Sequence, residues 1–91
     1  MPDVVFTNRM KKDVKLAKKQ GKDLKKLTEI INMLLKGAAL PDKCKDHSLK
    51  GDWQGFRDCH IEPDWLLIYR IEEDVLYLAA SGSHSYLRII S

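Results

Sequence analysis

Residues 65–71, Trp-Leu-Leu-Ile-Tyr-Arg-Ile, form a nearly continuous apolar run, followed by the acidic triplet Glu72-Glu73-Asp74 and a second run, Val75 to Ala80. A strand that is apolar on both faces must be covered on both, so the first run predicts the centre of a sheet. The triplet reads as a tight turn, and the second run as the strand that returns beside it. Upstream, Trp53 to Ile61 predicts another strand, with Gly55 as its weak point. Pro63 cannot donate to a ladder, which favours a turn in His60-Ile61-Glu62-Pro63-Asp64.

The first half of the chain has a different period. Asp3 to Phe6 is a short apolar run before Thr7-Asn8, whose side chains offer N-cap oxygens, so an edge strand should lead into a helix. Between Arg9 and Gln20, Met10, Val14 and Ala17 recur at spacings of four and three, one narrow apolar stripe that Gly21 ends. Asp23 caps a second helix with a broader stripe, Leu24, Leu27, Ile30, Ile31, Leu34 and Leu35, stopped by Gly37 and Pro41. The short Gly21-Lys22 link predicts an antiparallel helix hairpin. Leu40 to Leu49 reads as a polar loop. The order is β-α-α-β-β-β, an α+β fold with a helix hairpin packed on a small antiparallel sheet. Ninety-one residues leave room for one domain, spanning 1–91, and exclude any larger enzyme architecture.

Charge divides along the same line. Residues 1–50 carry a balance of +7, nearly all of it lysine, and residues 51–91 a balance of −4, within a net +3. Lysine is a flexible point charge suited to phosphate contacts that do not depend on base identity; a solvated helical surface is the plainer alternative. No run approaches a membrane span, and Met1 to Phe6 lack the features of a secretory signal, so a cytoplasmic protein with no membrane partner is expected.

His47, His60 and His84 each sit beside polar turn residues at a predicted strand end. Converging on one cleft, they would titrate where proton exchange with a substrate is useful, and Asp64 could orient an imidazole or act as a base. Three unrelated turn histidines are the competing account. Cys44 and His47 have a C-x2-H spacing and Cys59-His60 follow, which raises a zinc site or a Cys44–Cys59 disulfide. Neighbouring strand residues face opposite ways, cytosolic thiols stay reduced, and neither is favoured. No metal and no cofactor is expected. Most aromatics fall on strands as core; Trp65, beside Asp64 at a strand start, is the one to weigh as a substrate contact. Neither a phosphate-cradling glycine loop nor a G-x-S-x-G nucleophile motif is present.

The segments KDVKLAKKQGKDLKKL, KDHSLKGDWQGFRDCHIEPDWLLIY and SGSHS, in this order, resemble the YafQ-type branch of the RelE/ParE toxin superfamily from about Thr7 to Leu87. The resemblance implies a microbial RNase-like fold and a toxin that enters the ribosomal A site and cuts the bound mRNA, with a preference for lysine codons in YafQ-like members. It also implies a cognate antitoxin, operator DNA bound only through the antitoxin complex, and His47, His60, Asp64 and His84 as the catalytic set. His84 would be the general acid and His60 or Asp64 the base, with His47 near the phosphate. Trp65 and Arg57 would position substrate. Lys11, Lys12, Lys15, Lys18, Lys19, Lys22, Lys25 and Lys26 would lie against rRNA. One departure stands out. The family usually places an arginine before the S/T-G-S/T-H turn, and here that position is Ala80; a weakened natural toxin, a position altered to permit expression, and Arg57, Arg70 or Arg88 substituting are the three open explanations. The tail from Ser85 to Ile90 also departs from the family's Leu-Phe ending. A weakened toxin acting only as a binding module, or a ParE-like gyrase poison, are the competing functions; the histidine set argues against the second.

Overall fold

The computed structural model describes residues 3–88. Strand β1 (Asp3–Phe6) leads into α1 (Asn8–Lys19) and α2 (Leu24–Leu35), then β2 (His47–Ser48), β3 (Arg57–Glu62), β4 (Trp65–Glu72), β5 (Val75–Gly82) and α3 (His84–Leu87). Single 3-10 turns at Asp42–Cys44 and Gly51–Trp53 fill the loop between α2 and β3.

The helix boundaries follow from side-chain caps. Thr7 accepts from the Met10 N–H at 3.0 Å, and Asp23 accepts from the Lys25 N–H at 3.0 Å. Gly21 and Gly37 take the left-handed conformation just after the two helices. The Thr7 hydroxyl also donates to the Ala79 carbonyl at 2.8 Å, which ties the start of α1 to β5.

The sheet runs β1-β5-β4-β3-β2. The pairings β2–β3, β3–β4 and β4–β5 are antiparallel, and β1 lies parallel to β5 with Asp3 opposite Val75 and Phe6 opposite Leu78. The expected order of elements is present, and the expected all-antiparallel sheet is corrected to a mixed one. The reason is topological: β1 and β5 are joined through the whole body of the domain rather than by a turn, which permits a parallel pair. The two-residue strand β2 and the single-turn helix α3 are additions. Trp53, expected within a strand, closes a 3-10 turn instead, and β3 begins at Arg57.

Each face of the sheet has its own apolar cluster, as the unbroken run of β4 requires. Trp65, Leu67 and Tyr69 pack with Met10, Ala17, Leu27, Ile30 and Leu34 of the helices. Leu66 and Ile68 pack on the other face with Ala79, Ala80 and Leu87, beneath Leu49, Trp53 and Phe56. The second face is covered by loops and one helical turn only, and there the side chains of Asp58 and His60 emerge.

Candidate active site

Register explains how the histidines meet. His47 on β2 lies opposite Asp58 on β3, and His60 lies opposite Leu66 on β4, which in turn faces Gly82 at the end of β5. Asp58 and His60 are two residues apart and so share a face. His84 starts α3 two residues beyond Gly82. Its ring and that of His60 meet edge-on, centroids 5.2 Å apart. All four expected residues, His47, His60, Asp64 and His84, are thus brought together on one side of the sheet, and buried Asp58 joins them.

Asp64, exposed in the β3–β4 turn, accepts the backbone N–H of His84 at 2.9 Å and lies 2.6 Å from its ring Nδ1. These two contacts, the backbone one first, hold the Asp64 carboxyl below its ordinary range. A carboxylate so occupied fixes the imidazole with its proton on Nδ1 and leaves proton exchange to Nε2. His60 is different: burial lowers its pKa, the nearby Asp58 opposing the effect, and its Nε2 is buried without a hydrogen-bond partner among the described residues. His47 directs Nδ1 at the Lys45 carbonyl at 2.8 Å, while Asp58 Oδ1 lies 2.9 Å from the same nitrogen. The carbonyl contact is a hydrogen bond, and the Asp58 contact is a close approach of the carboxylate without one. Asp58 is fully buried, neither oxygen has a well-formed hydrogen bond among the described residues, and burial raises its pKa.

The turn that carries His84 is anchored from the far side of the sheet. Asp13, the only acid in α1, is buried on the helix's apolar stripe beside Met10 and Ala17. One of its oxygens accepts the Ser81 N–H at 3.0 Å and the other the Tyr86 hydroxyl at 2.5 Å, a bond that raises the Tyr86 pKa. Gly82 has φ +157, and a Cβ there would overlap the Tyr86 ring. Without that Cβ the ring folds back over the strand end and reaches Asp13. The Ser83 side chain caps α3 by accepting the Tyr86 N–H at 3.1 Å.

The positions named for substrate, Trp65, Arg57 and the family-arginine position Ala80, are buried or turned from the histidines in this structure. Trp65 is 1% exposed and donates through Nε1 to Ser81 Oγ at 3.0 Å, which makes it a core residue bracing the end of β5. Arg57 faces away from the histidines, because its neighbour Asp58 faces them; it pairs with Asp46 at 3.2 Å, and Tyr69 donates to the same oxygen at 2.6 Å. Ala80 is fully buried in the apolar cluster with Trp53, Phe56 and Leu87, so its methyl is core. Arg70 lies on the histidine side of the sheet but is stacked on Phe56 and Tyr77 and paired with Glu72 at 3.0 Å. Arg88 lines a cleft with His47, while Ile89 and Ile90 lie outside the described residues. The zinc and disulfide readings dissolve for a related reason. Cys44 and Cys59 are free thiols in the helix-side core, and burial raises the pKa of both.

Of the eight lysines, Lys11, Lys12, Lys15, Lys18, Lys19 and Lys25 are exposed along α1 and α2. Lys22 is half-buried with its ammonium 5.4 Å from the Trp65 ring, and Lys26 pairs with Glu62 at 2.8 Å. Asp13, Asp58, Tyr86 and Arg9 are residues that sequence reasoning passed over. Asp13 could have been found as an acid on an apolar stripe, and Asp58 by its spacing of two from His60.

With this geometry in hand, comparison with known proteins is specific. The profile of the family described as "Bacterial toxin of type II toxin-antitoxin system, YafQ" matches residues 2–89. The chain belongs to the YafQ toxin family. The mRNA interferase toxin YafQ of Escherichia coli K12 is 42% identical over 86 residues, which are 93% of this chain and 94% of that one. The crystal structure of the E. coli DinJ-YafQ complex superposes with a TM-score of 0.88 at 40% identity, over 96% of this chain and 98% of that one. A metal-bound toxin from Helicobacter pylori superposes with a TM-score of 0.89 at 42% identity, over 96% of this chain and 99% of that one. Among the described residues no three His, Cys, Asp or Glu side chains are grouped to hold a metal ion. Nor is any described helix long and apolar enough to cross a membrane.

Proposed function

We propose that this chain is a cytoplasmic endoribonuclease toxin that cuts mRNA in the ribosomal A site and is held silent by a cognate antitoxin. The observation that carries the reading is the line of acid–base groups Asp64–His84–His60–Asp58–His47 on the open face of the sheet. Transesterification of RNA needs a base for the ribose 2′ proton, an acid for the departing 5′ oxygen, and positive charge for the phosphorane between them. His60, kept neutral by burial, suits the base. His84, its ring fixed through Nδ1 by the Asp64 carboxylate, suits the acid, with Nε2 left for the proton transfer. Asp64, committed to His84, is then an orienting group rather than the base. His47, with Asp58 2.9 Å behind its Nδ1, is the group nearest the phosphate on this reading.

The family membership supports a protein antitoxin as partner, as DinJ is for its E. coli relative. Operator DNA would be reached only through that complex. The lysine-coated helices suit rRNA.

Primer extension on ribosome-bound mRNA tests the reading. The wild-type chain should cut within the A-site codon. His84→Ala should lose about 100-fold or more in rate, the scale of one general acid. Absence of cleavage by the wild-type protein would overturn the enzymatic reading and leave a binding module.

A further inference from the structure

A group of cations beside the histidines has no part in the chemistry above. The start of α1, the loop from Ser48 to Trp53 and the turn after α3 enclose a cleft of about 1000 Å³, lined among others by Arg9, His47, Lys50, Trp53, Tyr86 and Arg88. Asp52 is the one acid in that lining. The Arg9 guanidinium lies against two rings, 5.3 Å from the Trp53 centroid and 5.6 Å from that of Tyr86. Its side chain is still 46% exposed. The nearest carboxylate, Asp13, is 3.8 Å from Nε, too long for a hydrogen bond, and its oxygens already accept from Ser81 and Tyr86. Arg9 is therefore oriented by stacking, not saturated by an acid. Tyr86 is 45% exposed and Trp53 half-buried, so aromatic faces adjoin the charge.

Cations interleaved with aromatic faces are what a single-stranded nucleic acid requires: phosphates pair with the first and bases stack on the second. A guanidinium also matches phosphate with two parallel donors. We propose that this cleft is a subsite for the RNA strand next to the cut, in which Arg9 holds a backbone phosphodiester and Tyr86 with Trp53 forms its clamp and a stacking surface. Because His47 lines the same cleft, a strand lying there leads onto the catalytic face. The inference rests on the endoribonuclease reading for the identity of the strand. It gives the site a guanidinium from helix α1, where strand β5 offers only Ala80.

The test separates binding from cleavage. Affinity for a 2′-O-methyl RNA hexanucleotide, which cannot be cut, is measured by fluorescence anisotropy with no ribosome present. Variants are Arg9→Gln and Arg9→Met, both with stems that still fill the space between the rings, and Lys36→Gln on α2's C-terminal end as a control. Each Arg9 variant should bind about tenfold more weakly and lower the slope of log affinity against log salt by about 0.7, the value for one phosphate contact on a single strand. Lys36→Gln should match wild type. Equal affinity and slope for a folded Arg9 variant, or no saturable binding by the wild-type chain, would overturn the subsite. Arg9-dependent binding without cleavage of ribosome-bound mRNA would leave the subsite standing and remove the endoribonuclease reading. Cleavage that is indifferent to Arg9 would do the reverse.

Discussion

Two neighbouring side chains on β3 are shifted in opposite senses, and both shifts have consequences that can be measured. Burial lowers His60 from the ordinary imidazole value of 6.5, so at pH 7 it is neutral and able to accept a proton. As the base, it should place the acidic limb of the cleavage rate below pH 6.5; a limb at or above that value would assign the base elsewhere. Asp58 is raised from 3.8 by burial, because its charged form is poorly solvated there. A raised carboxyl contributes stability below its unfolded pKa and loses it as pH rises through the folded one. Replacing Asp58 with Asn should therefore raise the melting temperature at pH 7 by about 4–8 °C, the shift made by 1 kcal/mol in a chain of this size. The gain should shrink towards pH 4, while cleavage falls because His47 loses its neighbouring charge. Thermal unfolding at the two pH values checks the sign. A stability gain that is larger at pH 4 would mean that burial is not what Asp58 opposes.

Helix α1 reaches through the core to hold the turn that carries His84, and this link is carried by one carboxylate. Asp13→Ala would leave the buried Ser81 N–H without its acceptor, at a cost of about 1–3 kcal/mol, and would release Tyr86. Because Ser81 and Tyr86 flank His84, the variant should lose turnover more than substrate affinity, and Asp13→Asn, which retains an acceptor oxygen, should recover part of both. Equal turnover for Asp13→Ala and wild type in steady-state cleavage would reduce Asp13 to a packing role. Local pattern made much of this architecture legible. The Thr7 and Asp23 caps, the glycine stops, the 65–71 run and the acidic turn all act within a few residues of themselves. The candidate four, His47, His60, Asp64 and His84, were legible through the resemblance, their convergence being a matter of strand register. What sequence missed lies where contact spans the chain. The parallel β1–β5 pair joins Asp3 to Val75, and the Asp13–Tyr86 bond crosses 73 residues. The burial of Trp65 and Ala80 was hidden because a site residue and a core residue can alternate along one strand.

The sheet separates two surfaces of different charge and different task. One face carries the helices, whose outward side bears Lys11, Lys12, Lys15, Lys18 and Lys19; the other carries the histidines together with buried Asp58. A modest net +3 is therefore the sum of +7 over residues 1–50 and −4 over residues 51–91 rather than a weak uniform field. For a ribosome-directed enzyme this division has a kinetic meaning. On the proposed ribosomal target, phosphate contacts that ignore base identity would bring the protein to rRNA and leave the histidine face for the message. Each such contact releases a counterion, so affinity falls with salt in proportion to their number, by about 0.7–0.9 in log–log slope for each. The triple variant Lys11→Gln, Lys15→Gln, Lys18→Gln should lower the slope of ribosome binding by about 2–3 if all three touch phosphate. These lysines are exposed and distant from the core, so the melting temperature should be unchanged. Affinity for the antitoxin gives a control on the same variant. A ribosome slope equal to that of wild type, measured between 50 and 200 mM salt by sedimentation, would make the lysine coat a solubility feature and move the ribosome contact to the histidine side.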